Sequence, residues 1–202
     1  MHKCIERTNN RSAHQEGKER PEVSEDLVSK PINEMIRYDP KTMRLQDSFL
    51  NIRMLALDTD FYKGLRDKLF ERFDTGAVMI LYSMGLGYGE LMGRKISEMG
   101  VSNLEVYKRF TKRGNYTGMG RFHTPLLKLV VSGLKGEPMV RLEDSFFADA
   151  AGKTGQAECH IIRGMIVGAA RLIMKGEFQC SEVKCLSKGD RYCEFHLIAK
   201  NH

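Results

Sequence analysis

No stretch of this 202-residue chain approaches the roughly 18 consecutive apolar residues that a membrane-spanning helix needs, so no span is expected. The N-terminal end, MHKCIERTNNRSAHQEGKERPEVSED, is polar throughout and lacks the apolar core of a secretory signal, which points to the reducing cytoplasm. There is no internal repeat and no paired C-x2-C of the zinc-finger kind. Gly85-x-Gly87-x-Gly89 lacks the preceding strand and the G-x-G-x-x-G spacing of a phosphate-cradling loop, so no nucleotide cofactor is expected. Tryptophan is absent altogether.

What is present suits one folded domain with a tail. An apolar share of 42% is well above a disordered composition, and a chain of this length can bury a core without disulfide staples. The net charge of +6 favours solubility and weak attraction of anions but is not by itself a nucleic-acid signature. Residues 1–58 carry ten Lys/Arg and ten Asp/Glu, so the positive excess lies beyond them. Residues 1–44 read as a flexible tail or arm, too polar to offset their ordering entropy, and 45–202 as the folded domain.

Along the domain, residues 43–57 give a first strand candidate, best at Phe49–Leu57. Asp58 or Thr59 then caps a helix near 60–73, with Phe61, Leu65, Leu69 and Phe73 as its apolar stripe. A longer helix over 75–99 carries Gly85, Gly89 and Gly93. Each glycine costs about 1 kcal/mol against alanine in a helix interior, so three on one face imply close approach of another backbone. Ser102 and Glu105 open a short basic helix over 102–113 with the look of a capping box. Lys108, Arg109, Lys112 and Arg113 form its basic patch, read as a solvated face; direct nucleic-acid binding is not expected. A glycine-rich loop (114–123) leads to strands at Leu126–Val131, Met139–Glu143 and Ser145–Ala148, with a turn at Gly133–Pro138. A buried helix over 158–174, with Gly164 and Gly168, is expected to cross 75–99 and to end at Gly176. Residues 178–186 and 192–199 close the chain as a hairpin. Strands in hairpins that do not alternate with helices argue for an α+β fold, an antiparallel sheet packed against a helical layer.

Four of the five cysteines fall in the last quarter of the chain, around the turn Lys188-Gly189-Asp190. In a reducing compartment clustered cysteines more often hold metal than form disulfides. Zinc takes thiolate, imidazole or carboxylate in a tetrahedral site. Cys159, Cys185 and Cys193 supply three sulfurs, and the fourth donor is open between Glu182, Cys180, His160 and His196. Strand alternation puts Cys180 and Glu182 on one face and Cys185 on the other, unless a bulge or early turn intervenes near Cys185. Cys4, in the tail, has no expected role.

Glu182-x2-Cys185-x7-Cys193, with Gly189-Asp190 between the cysteines and Phe195 after them, resembles the signature of the vinyl-4-reductase domain family. Cys159 falls where that family has another cysteine, and Leu81, Tyr82, Met84, Gly85 and Gly89 are similar to its first long glycine-bearing helix. The resemblance spans about residues 45–199. It implies a fold like the small subunits of the TRAPP tethering complex, binding of small and often hydrophobic molecules, and homodimerisation. It also implies zinc held by Cys159, Glu182, Cys185 and Cys193. Phenol-sensing relatives place a tryptophan in the pocket, which this chain cannot do, so their ligand specificity does not carry over.

The leading expectation is therefore a small-molecule sensor or binding domain with a structural Zn2+ site. Tyr107, Phe110, Tyr116, Phe122, His123 and Phe146 are its candidate ligand-binding residues. Two other readings are a zinc- or cofactor-dependent enzyme and a TRAPP-like assembly subunit. The enzyme reading requires Glu182 to be free as a base at an open zinc position.

Overall fold

Asp58 opens the first long helix as its position predicts, its carboxylate accepting the Phe61 amide at 2.7 Å. In this computed structural model, which describes residues 35–124 and 138–200, that helix is α1, Thr59–Phe73. Before it runs a small antiparallel meander of β1 (Ile36–Asp39), β2 (Arg44–Asp47) and β3 (Ile52–Met54). After it come α2 (Gly76–Ser97), α3 (Asn103–Tyr116), β4 (Arg121–His123), β5 (Met139–Glu143) and α4 (Phe146–Ala151). The chain closes with α5 (His160–Met174), β6 (Phe178–Lys184), a 3-10 turn at Leu186–Lys188 and β7 (Cys193–Ala199). Strands β4–β5–β7–β6 make one antiparallel sheet in that order. Val140 and Leu142 of β5 and Phe195 and Leu197 of β7 form one core with Ile162, Met165 and Ile166 of α5. The fold is α+β, an antiparallel sheet with a helical layer against it.

The glycines of α2 and α5 do what their spacing demands. A Cβ on Gly85 would stand 1.9 Å from the Ile161 carbonyl oxygen, and one on Gly89 2.3 Å from that of Met165. Reciprocally, a Cβ on Gly164 would meet the Tyr82 carbonyl oxygen at 2.0 Å and one on Gly168 that of Leu86 at 2.3 Å. The two helices touch backbone to backbone, and no side chain fits between them.

Several local expectations are corrected. Strand Phe49–Leu57 shrinks to Ile52–Met54, because residues 48–51 form a turn with Asn51 at positive φ; its partner β2, and β1 beyond it, begin within the stretch read as tail or arm. The α1 stripe is displaced: Phe61 and Phe73 are more than half exposed, whereas Tyr62 is buried. The reason is the neighbour. Tyr62 packs against the rings of Phe146 and Phe147 (centroids 5.9 and 5.0 Å), which turns the buried face one residue on from the four-residue repeat. The strand expected at Ser145–Ala148 is α4, started by the Ser145 hydroxyl, which accepts the Ala148 amide at 3.4 Å. Lys175, not Gly176, takes the left-handed position that ends α5. The expected strand Leu126–Val131 and most of the turn at Gly133–Pro138 lie outside the described residues.

The crossing generates a paired test. Gly85→Ala should cost about 3 kcal/mol or more in urea unfolding, because the new methyl meets main chain that cannot yield. Gly87→Ala, with nothing within 4 Å of its Cβ position, should instead stabilise by roughly 0.5–1 kcal/mol.

Candidate metal centre and apolar cavity

Three elements bring the cysteines together. Cys159 sits at the N-cap of α5, Cys185 follows β6 as the N-cap of the 3-10 turn, and Cys193 begins β7. All three are fully buried. Glu182 joins them through an irregularity in the hairpin. It pairs with Phe195 while Lys184 pairs with Glu194, so two residues of β6 advance against one of β7. This β-bulge at Val183 brings Glu182 and Cys185 to one side despite their odd separation. Beyond it, Gly189 takes φ 99° in the turn, and the Asp190 carboxylate accepts the Cys185 amide at 2.8 Å.

The donor atoms of Cys159, Glu182, Cys185 and Cys193 all lie within 4.8 Å of one another. The Sγ–Sγ distances are 3.6 Å for Cys159–Cys193 and 3.9 Å for Cys193–Cys185. A tetrahedron built on zinc–sulfur bonds of about 2.3 Å has sulfur–sulfur edges of about 3.8 Å. Glu182 Oε2 accepts the Cys159 amide at 3.0 Å, while Oε1 is buried with no hydrogen-bond partner. A buried carboxylate oxygen left unpaired is costly unless a cation meets it. Outside the four, the Leu186 amide donates to Cys193 Sγ at 3.4 Å, and Ser145 Oγ lies 3.2 Å from Cys159 Sγ. The residues fit a divalent metal ion.

Electrostatics agree. Four acidic groups in one buried space cannot all ionise without a counter-charge. Hydrogen bonds with Cys185 and then Cys193, followed by burial, drive the Cys159 thiol well above its usual range. Cys193 is drawn down by its bond to Cys159, but Cys185 and burial outweigh this and push it up to about 12. Burial first, and then Cys185, raise Glu182 to about 8. Cys185 alone is held below its ordinary value, by hydrogen bonds from Cys159 and Cys193.

The other candidates for the fourth position stand elsewhere. Cys180 lies one strand repeat before Glu182 and is no member of the cluster; burial pushes its thiol up to about 12. The His160 ring packs on Phe70 with Nε2 3.9 Å from Glu158, and His196 Nε2 lies 3.0 Å from Glu194. Glu158, next to Cys159, is buried and holds Arg66 of α1 in a two-pronged pair of 2.9 and 2.6 Å, so α1 is tied to the metal centre's edge.

A second feature lies further along α5. Met165, Ile166, Ala169, Ala170, Ile173 and Met174 line a cavity that opens to solvent. Tyr88 and Met92 of α2 face it, as do Phe110, Thr111 and Arg113 of α3, with Phe122 and Val140 from the sheet. The walls are almost wholly apolar. Of the residues proposed from sequence, Phe110 and Phe122 line it. Tyr116 instead donates its hydroxyl to Asp47 at 2.9 Å. His123 lies 3.4 Å from Glu143, and Phe146 packs on Tyr62. Tyr107 belongs to α3, but its side chain is not among those described.

Sequence reasoning missed the cavity's polar end. Arg113, read as part of a solvated basic patch, is buried and gives Nε to Asp47 at 2.8 Å and Nη1 to the Tyr88 hydroxyl oxygen. Arg109 of the same patch is paired with Glu105 at 2.6 Å, so the free basic surface is smaller than the sequence suggests. No sequence signal marks Arg113 apart from its neighbours. The small pair Ala169-Ala170 amid larger apolar residues of α5 was the one legible hint of empty space.

Comparison with known proteins bears out the resemblance over the C-terminal part: residues 138–199 match the vinyl-4-reductase domain. No curated protein sequence is significantly similar to the chain. Among solved structures, the phenol-responsive sensory domain of the transcription activator PoxR, crystallised with phenol, superposes with a TM-score of 0.72 at 18% identity. The match covers 86% of this chain and 89% of that one. A vinyl-4-reductase family protein from Methanocaldococcus jannaschii gives 0.53 at 17% identity, over 73% and 85% of the two chains. At these identities the likeness is one of fold. Among the described residues no helix is long and apolar enough to cross a membrane.

The raised donors generate a pH test. Cys159, Cys193 and Glu182 are all raised above their ordinary values, so in the metal-free fold they hold their protons more tightly, and binding a divalent cation must release protons. Calorimetry in buffers of different ionisation enthalpy should show that release, and affinity should fall as pH is lowered from 8 to 6. Pure metal uptake without proton release would contradict the assignment.

Proposed function

We propose that this chain, whose residues 138–199 match the vinyl-4-reductase domain, is a sensor or carrier domain for a small apolar molecule, built around a structural zinc site. The observation that carries the reading is the apolar cavity on α5, between α2, α3 and the sheet. A concave, mostly apolar space with few polar groups is the usual form of a small-molecule site. The fold it sits in is also that of PoxR's sensory domain, which was crystallised with phenol. Zinc suits the donor set because thiolates select it and the carboxylate completes a tetrahedron. When bound, zinc would cross-link the start of α5 to both strands of the closing hairpin and serve as a fold-stabilising ion. Four protein donors leave no open position for activating water, which weighs against the enzyme reading. Thiolate ligation suits a reducing, cytoplasmic setting. We include a homodimer in this reading: the exposed Phe61, Leu65 and Phe73 of α1 offer an apolar surface for a second copy.

Two measurements test the halves separately. Cys185→Ser and Cys193→Ser should each lose zinc and melt well below the parent, whereas Cys180→Ser and Cys4→Ser should keep both metal content and melting temperature. The neutral fluorescent probe N-phenyl-1-naphthylamine should bind saturably, one per chain, and Ala169→Phe should abolish that binding by filling the cavity. Absent or non-saturable binding in the parent, or unchanged binding in Ala169→Phe, would contradict the cavity reading.

A further inference from the structure

The polar end of the cavity is more closely defined than its apolar walls, and it is assembled from three separate parts of the chain. Asp47, from β2 of the N-terminal meander, is fully buried. Its Oδ1 accepts the amides of Phe49 and Leu50, both at 2.9 Å, and its Oδ2 accepts Arg113 Nε at 2.8 Å and the Tyr116 hydroxyl at 2.9 Å. Four donors satisfy this carboxylate, and one of them is the Arg113 guanidinium, with which it forms a buried ion pair. Arg113 in turn directs Nη1 to the hydroxyl oxygen of Tyr88 on α2. Both Arg113 and Tyr88 line the cavity.

Two consequences follow from elementary hydrogen-bond chemistry. The guanidinium has no acceptor capacity, so in its contact with Tyr88 the phenol oxygen is the acceptor and the phenol hydrogen is left to be donated elsewhere. The Arg113 charge is already matched by Asp47. A ligand anion would put two negative charges against one positive charge in a space screened from water, which costs more than the pairing returns. We infer that Tyr88 is the specificity-determining residue of the cavity, donating one hydrogen bond to an uncharged apolar ligand that bears an acceptor oxygen, such as an aryl ketone, ester or ether. Asp47 acts as a positioning residue: through Arg113 it fixes the direction of the Tyr88 hydroxyl. The meander is thus part of the binding unit, although none of its described residues lines the cavity. The inference rests on the reading of the cavity as a ligand site.

The test uses the full chain loaded with N-phenyl-1-naphthylamine and displaces the probe with three molecules of similar size: acetophenone, ethylbenzene and benzoate. Acetophenone should displace about fivefold more effectively than ethylbenzene, the worth of one neutral hydrogen bond, and benzoate should be the weakest. Tyr88→Phe should bring acetophenone down to the level of ethylbenzene and leave ethylbenzene unchanged, with the melting temperature reporting an intact fold. Equal displacement by acetophenone and ethylbenzene in the parent would overturn the role of Tyr88 while leaving the cavity reading in place. Benzoate as the strongest competitor would overturn the neutral-ligand assignment and make Arg113 an anion receptor. Failure of the parent to bind the naphthylamine probe at all would overturn the cavity reading and this inference with it. The parent series needs no variant, so it decides the matter even if Tyr88→Phe folds poorly.

Discussion

The structure depends on two helices meeting backbone to backbone. With Gly85 and Gly89 against Ile161 and Met165, and Gly164 and Gly168 against Tyr82 and Leu86, α2 and α5 approach closer than any side chain would allow. This contact fixes the rotation and height of α5 relative to the rest of the helical layer. Everything functional hangs on α5. Its N-cap residue is Cys159, and its later turns, from Met165 to Met174, form a wall of the cavity. The sheet sees the same helix: Ile162 and Met165 pack with Val140, Leu142 and Phe195. One helix therefore carries a candidate metal ligand at its start and a cavity wall along its remaining length.

That arrangement divides the labour within the fold. The closing hairpin is short, and its bulge at Val183 interrupts the ladder where the turn to Cys185 begins. A cation shared by Cys159, Glu182, Cys185 and Cys193 would hold this weak point against α5, and the Arg66–Glu158 pair joins α1 to the same place. The cavity lies further along α5, away from the cysteines, so its walls can be apolar without disturbing the donor cluster. The buried Asp47–Arg113 pair brings the N-terminal meander to the cavity's edge. Buried ion pairs contribute little net stability, but breaking one by removing a partner is costly. This pair therefore serves best as a device that fixes geometry.

What could be read from the sequence was whatever local chemistry or spacing determines. Glycines every four residues announced a close helix crossing, because no other residue tolerates the contact. The clustered cysteines announced a donor cluster that could hold a metal ion, and Asp58 announced the start of α1. The bulge was legible only as a requirement: alternation separated Glu182 from Cys185, and chemistry wanted them together. Other features depended on tertiary neighbours. The buried face of α1 follows the Phe146–Phe147 pair that meets Tyr62, and nothing in the α1 sequence shows this. Arg113 looks like Lys112 beside it until Asp47, 66 positions away, is brought alongside. Phe146 read as a strand residue because a six-residue helix is too short to show a period. The cavity was the least legible feature, since empty space is set by where large side chains do not reach.

In the proposed structure of the site, a zinc ion held by three sulfurs and one carboxylate oxygen pins the hairpin to α5. X-ray absorption at the zinc edge on the protein as purified addresses it most directly. The expected result is about one zinc per chain, three sulfurs at about 2.3 Å and one oxygen at about 2.0–2.2 Å. A chain free of zinc would contradict it, and so would four sulfurs, which would bring Cys180 into the sphere and leave Glu182 Oε1 buried and unpaired.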